Sequence, residues 1–140
     1  MRPNTVPSRV RLSTRRLPTH IVVAIDGQLD FTSAAFLRDR LLIALHHTTV
    51  PMIIDLSDVS SCDAAGLAPL VGTRRRGRLH GIPVSLAAPQ PYLSLLLRIT
   101  GLHRAFAIFP TLATAQRRCG AVAPPRRGLG MDGTPIQRPA

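Results

Sequence analysis

Ser57, Asp58, Ser60, Ser61, Cys62 and Asp63 share one short stretch of the chain, and each could do chemistry. A hydroxyl or thiol could act as a nucleophile, two carboxylates as an acid and a base, and a turn of backbone N–H groups as a phosphate cradle. Each of these roles needs a partner. A Ser or Cys nucleophile needs a base, and no His lies in the stretch. Nucleotide capture by a Gly-x-x-x-x-Gly-Lys loop has no support, because that pattern occurs nowhere in the chain. Asp58 and Asp63 are carboxylates in a polar segment, a setting that water ordinarily solvates. The residues therefore point to recognition and not to catalysis, and the chain is read as a non-enzyme without a cofactor.

Metal chemistry is equally unsupported. Cys62 and Cys119 have neither a metal-ligand spacing nor the numbers for a disulfide framework. His46 and His47 are adjacent, so on a helix they point in different directions, and neither has a ligand partner three or four residues away. They read as a surface pair at a helix end.

The elements that must position the polar stretch follow from periodicity. Met52-Ile-Ile, preceded by Pro51 and ended by Asp55 and Ser57, reads as the end of a buried strand that runs into a polar loop. Asp63 is a good N-cap residue for a helix carrying Ala64, Ala65, Leu67, Leu70 and Val71. Pro69 complicates that reading. In a helix capped by Asp63 it removes a bond to the Ala65 carbonyl, at about 3 kcal/mol, whereas a helix that begins at Pro69 avoids the loss. Both placements stay open. Farther along this helix Leu70, Val71 and Leu79 are expected inward and Arg74, Arg75, Arg76 and Arg78 mostly outward.

Ahead of the stretch, Val10 begins an alternating pattern suited to a half-buried edge strand, and His20 to Ile25 is a β-branched strand suited to the middle of a sheet. The two should pair antiparallel. Thr32 or Ser33 then offers an N-cap for a helix with Leu37, Leu41, Ala44 and Leu45 on one face. Beyond the second helix come a strand over Gly81 to Leu86 and a third helix opened by Pro89-Gln-Pro and closed by Gly101. A strand over Ala105 to Phe109 and a last helix from Leu112 to about Cys119 complete the series. Two strands followed by alternating helices and strands call for an α/β fold. The expectation is a mostly parallel, mixed sheet of about five strands with four helices.

Asp55-Leu-Ser-x-Val-x-x-x-Asp63-x-x-Gly66-Leu67 resembles the signature of the STAS domain, the module of bacterial anti-sigma factor antagonists that also forms the cytoplasmic tail of sulphate transporters. Gly27-x-Leu29-Asp30 and Leu95-Leu-Leu-Arg-Ile-Thr-Gly-Leu102 are similar to two further STAS segments. The resemblance spans about residues 10 to 119. In the antagonists the residue after the second Asp is a Ser, phosphorylated by a serine kinase-like protein that is itself the anti-sigma factor; here that position is Ala64. The resemblance implies that this chain binds an anti-sigma factor and so releases a sigma factor, through a contact surface of Asp30, Ser57, Asp58, Ser60, Ser61, Asp63, Ala64, Gly66 and Leu67. Gly66 would permit a close backbone approach, and Asp63 would both hold the helix start and face the partner. The residue before this Asp is generally apolar and buried in the family, so Cys62 is read as buried and not as a redox-sensitive thiol with a lowered pKa. The alternative to the antagonist reading is a STAS module that binds a small ligand or another regulatory protein outside the kinase circuit. Ser60 and Ser61, which do not align with the family's phosphorylated position, are turn residues first and substitute phosphosites only second.

Composition bounds the rest. The chain of 140 residues carries a formal charge of +11, with Arg as its only strong base and Asp as its only acid. One domain is expected over residues 10 to 119, with a disordered lead-in over 1 to 9 and a flexible basic tail rich in Pro, Gly and Arg over 120 to 140. The longest apolar runs are far below the roughly 20 residues of a membrane span, and no secretory segment opens the chain. A cytoplasmic protein that engages no membrane is expected. Nucleic-acid binding through Arg74 to Arg78 is disfavoured, because no aromatic stacking platform lies beside that cluster. Pairing of two copies as a homodimer stays open.

Overall fold

The alternation of β-branched and polar residues dictates a sheet, and the apolar stripes between its strands dictate the helices that cover it. A computed structural model describes residues 10–121. Their order is β1 (Val10–Arg16), β2 (Ile21–Leu29), α1 (Ala34–His46), β3 (Met52–Cys62), α2 (Ala64–Leu79), β4 (Val84–Ala87), α3 (Pro91–Ile99), a 3-10 turn (Leu102–Arg104), β5 (Ile108–Phe109) and α4 (Leu112–Ala121). The five strands form one sheet in the order β1-β2-β3-β4-β5. β1 runs antiparallel to β2, and the remaining pairs are parallel. This is the mixed α/β sheet with four helices that the periodicity predicts.

Successive strand residues face opposite sides of a sheet, and the cores divide accordingly. Ile21, Val23 and Ile25 of β2, with Met52, Ile54 and Leu56 of β3, meet Leu37, Leu41 and Leu45 of α1, Leu67 and Leu70 of α2, and Leu93 and Leu97 of α3. On the reverse face Ile53 and Ala87 meet Ala115 of α4, with Phe109, Leu112 and Cys119 packed alongside. Three helices therefore cover one face, and α4 lies against the other.

Two strands exceed their expected lengths. β2 was expected to end at Ile25 and continues to Leu29, and the polar stretch after Ile54, expected as a loop, is strand to Cys62. The reason lies in the pairing of β2 with β3. Its register shifts between Ala24 and Asp26 and again between Gly27 and Gln28, and these bulges keep Asp26 opposite Asp58, Gly27 opposite Val59 and Leu29 opposite Cys62. Backbone pairing thus overrides the low β-propensity of Asp, Gly and Ser.

Other departures are smaller. Leu79, expected inward, is 76 % exposed at the last turn of α2. β5 is confined to Ile108–Phe109, because Leu102–Arg104 form the 3-10 turn and Phe106 turns into the core. Gly101 has φ +79 and closes α3 in the left-handed conformation that its type favours. α4 takes in Gly120 and Ala121, two residues of the expected tail. The rest of that tail, and the expected lead-in over residues 1–9, lie outside the described residues.

Candidate partner-binding surface

The carbonyl of Leu29, the last residue of β2, is the point on which the site is hung. Asp63 N–H donates to it at 3.0 Å, so the start of α2 is tied to the end of β2. An added Cβ at Gly66 would lie 2.1 Å from the same oxygen and 2.3 Å from its carbon. Only a residue without a side chain lets the first turn of α2 come this close. The close approach expected of Gly66 is therefore to the chain's own backbone. Leu67 is likewise interior, at 2 % exposure. These two residues build the helix start and offer no exposed side-chain surface.

Asp63 is the one residue between β3 and α2. Its carboxylate accepts from Gly66 N–H at 2.9 Å, an N-cap worth about 1 kcal/mol. Of the two helix starts left open by the sequence, the structure thus has the earlier one, with Pro69 buried inside α2. The Thr73 hydroxyl donates to the Pro69 carbonyl at 2.7 Å, an i to i−4 bond of a kind that bends helices. Ala64 follows Asp63 as the first helical residue and is exposed, as are Ser57, Asp58, Ser60, Ser61 and Asp63.

Asp30 organises the neighbouring turn. Its Oδ1 accepts from Thr32 N–H at 3.0 Å, the Thr32 hydroxyl at 2.7 Å and Ser33 N–H at 3.1 Å. The Thr32 hydroxyl is the main cause holding the carboxyl below its ordinary value of 3.8, helped by the Ser33 and Thr32 N–H groups and opposed by desolvation. Ser33 occupies the cap position of α1, yet its hydroxyl points back and donates to Gln28 O at 2.8 Å.

β4 accompanies β3 only as far as the pair Asp55 and Ala87, so beyond it one side of β3 has no strand beside it. Side chains of the α3 region take its carbonyls instead. Gln90 Nε2 donates to Ser57 O at 3.0 Å and to Val59 O at 3.3 Å, and the Tyr92 hydroxyl also donates to Val59 O. Gln90 and Tyr92 were not singled out from the sequence, since what matters in them is reach across the fold and not spacing. Phe31 was missed as well: it lies beside Asp30 and is 82 % exposed. Its sequence signal was available, an aromatic set among the polar residues Asp30, Thr32 and Ser33.

Cys62 is half-buried and packs against the core. Burial first, and the adjacent Asp63 carboxylate second, push its thiol up to about 12. A thiol so disfavoured as thiolate is not a redox nucleophile. Among the described residues no group of three or more His, Cys, Asp or Glu stands close enough together to hold a metal ion. What the arrangement offers is an exposed rim of hydroxyls and carboxylates, in a chain whose formal charge is +11. Such a rim can dock a protein.

Residues 11–115 match the family model described as STAS domain. This chain belongs to the STAS domain family. Within this STAS domain the exposed rim is the end of the Asp55 to Leu67 signature, and the Leu29 carbonyl belongs to the Gly27 to Asp30 segment. A candidate anti-anti-sigma factor of Mycobacterium tuberculosis is 26 % identical over 121 residues, covering 85 % of this chain and 81 % of that protein. The anti-sigma-B factor antagonist of Bacillus subtilis is 32 % identical over 93 residues, covering 66 % of this chain and 84 % of that protein. The fold matches the unphosphorylated form of the anti-sigma factor antagonist SpoIIAA with a TM-score of 0.67 at 18 % identity, over 81 % of this chain and 100 % of that one. The phosphorylated form of SpoIIAA, from Bacillus, gives a TM-score of 0.60 at 19 % identity, over 77 % of this chain and 98 % of that one. No helix of the described residues is long and apolar enough to cross a membrane.

Proposed function

We propose that this STAS domain is an anti-sigma factor antagonist: it binds a kinase-like anti-sigma factor in the cytoplasm, releases the sigma factor held there, and does so without a phosphorylation switch and without catalysing a reaction. The contact surface is the rim of Asp30, Ser57, Asp58, Ser60, Ser61, Asp63 and Ala64, with Gly66 and Leu67 fixing its shape from beneath.

The observation that carries this reading is the exposed start of α2. Asp63 caps the helix there, and Ala64 presents a methyl group to solvent at the position where the antagonists carry their phosphorylated Ser. A phosphate at such a place puts about −1.5 to −2 charges into a partner interface. Ala64 has no hydroxyl to accept one, so the domain stays in the binding-competent form and is controlled by its abundance or elsewhere in the chain.

A pull-down from source-cell lysate with the wild-type domain and with Ala64→Asp, followed by mass spectrometry, tests the proposal. The expected outcome is a kinase-like anti-sigma factor retained by wild type and lost by Ala64→Asp, with both baits folded by circular dichroism. If neither folded bait retains such a protein, the antagonist reading fails, and a STAS module binding a small ligand or another regulator takes its place. Asp63→Asn refines the outcome, since it keeps an oxygen to cap α2 while removing the charge. Weaker retention by this variant assigns the Asp63 charge to the interface.

A further inference from the structure

Most carboxylates of the described residues gather at one edge of the sheet. Asp26, Asp30, Asp58 and Asp63 lie toward or just past the carboxyl ends of β2 and β3, Asp55 lies within β3, and Asp39 lies on α1. Helices α1 and α2 run back from that edge, and their last turns meet at the opposite one. His46, Arg76 and His80 stand there, and segments 46–51 and 76–83 contain no Asp.

Between the two helix ends lies a cavity of about 220 Å³, lined by His46, Thr48, Thr49, Arg76 and His80. The buried side chains of Leu45 and Ile82 complete its lining. The His46 and His80 rings are tilted at 53° to each other with centroids 6.2 Å apart. Among the described residues the ion pairs are Arg11 with Asp26 and Arg38 with Asp39, so Arg76 has no carboxylate partner there.

Basic residues gather at helix C-termini for an ordinary reason, the negative end of the helix dipole. That reason is insufficient here. Terminal carbonyls at these ends are already taken by donors other than the His46, Arg76 and His80 side chains, with His47 N–H on Ala44 O at 3.3 Å, Thr48 N–H on Leu45 O at 3.4 Å, His80 N–H on Gly77 O at 3.0 Å and the Arg16 guanidinium on His47 O at 3.0 Å. Nor does it explain why donors from two helices converge on a single cavity. We infer that this cavity binds a small phosphate-bearing molecule, held by the Arg76 guanidinium and the imidazoles of His46 and His80.

The donor set suits that chemistry. A guanidinium fork presents paired N–H groups to two phosphate oxygens, and each imidazole donates one N–H. Thr49 lines the same cavity. A volume of about 220 Å³ is below the ~300–1,000 Å³ of pockets for drug-sized ligands. The volume suits a phosphate, or a phosphate on a short carbon skeleton. The site is at the pole away from the Asp63 rim and does not rest on the antagonist reading.

The test is a titration of the full ¹⁵N-labelled chain with inorganic phosphate and, separately, with ribose 5-phosphate, at ionic strength held constant with sodium chloride. Saturable shifts confined to His46, Thr48, Thr49, Arg76 and His80 are expected. Arg76→Ala and His80→Ala should each weaken binding on the order of tenfold, while Arg118→Ala on α4 leaves it unchanged; the same spectra report that each variant is folded. Equal saturation by both compounds makes the phosphate group itself the ligand, and tighter binding of the ester assigns the site to a phosphomonoester. Shifts that do not saturate, that spread over the other arginines, or that survive Arg76→Ala overturn the inference.

Discussion

Gly66 places the heaviest single-residue demand on this fold, because a methyl group there would meet the Leu29 carbonyl at 2.1 Å. The obstacle is backbone and cannot rotate away, so Gly66→Ala is expected to destabilise the domain by about 3 kcal/mol, the upper part of the usual range for overpacking. Denaturant unfolding measures it. Asp30 gives a second prediction. Its folded pKa lies below 3.8, so its contribution to stability is fully present above that value and is lost as pH falls through the lower folded one. Acid unfolding followed by circular dichroism should therefore show a shallower acid limb for Asp30→Asn than for wild type. The close approach at Gly66 was legible in the sequence, since a Gly at motif spacing announces a backbone constraint, whereas Asp30 was read only as a contact residue and its bonds to Thr32 and Ser33 were not foreseen. Phe31 carried a signal that was passed over, and Tyr92 carried none, because it acts by a bond to a residue 33 positions away.

At the scale of elements, the sequence revealed the five strands and four α-helices in order, but it missed the 3-10 turn and misjudged where β2 and β3 end and where β4 and β5 begin. The residues beyond Ile54 have loop composition, and only the bulged pairing with β2 makes them strand. Partner strands supply that information, and no local pattern carries it. The same holds for Pro69. Two helix starts were consistent with the sequence, and what selects the earlier is the Asp63 cap together with the Leu29 contact. The price is a missing N–H inside α2. Pro69→Ala would restore the bond to Ala65, recovering about 3 kcal/mol, and would lose about two buried methylenes at ~0.8 kcal/mol each. The helix term wins, so a net stabilisation of about 1 kcal/mol is expected, read as a higher denaturation midpoint. Leu79 was misplaced because the inward position of the last turn of α2 belongs to Gly77, packed on Ile82 and Val84, and Leu79 lies on the solvent side of that turn.

For the molecule as a whole, the division of the core between two faces sets the stability. α1, α2 and α3 share one large cluster, while the reverse face depends on α4 meeting Ile53 and Ala87. A chain ended before Leu112 would leave Ile53, now 0 % exposed, open to water. Such a chain is expected to lose on the order of 3 kcal/mol, measured by denaturant unfolding beside the full chain. The strand order has a further consequence, for synthesis. Every strand pairs with its neighbour in sequence, so each new strand leaving the ribosome finds its edge already made. No early segment must be held unpaired until a distant one arrives, the circumstance that slows folding and exposes chains to aggregation. The nascent domain can close unit by unit, and α4, which emerges after all five strands, seals the one face that until then is bare.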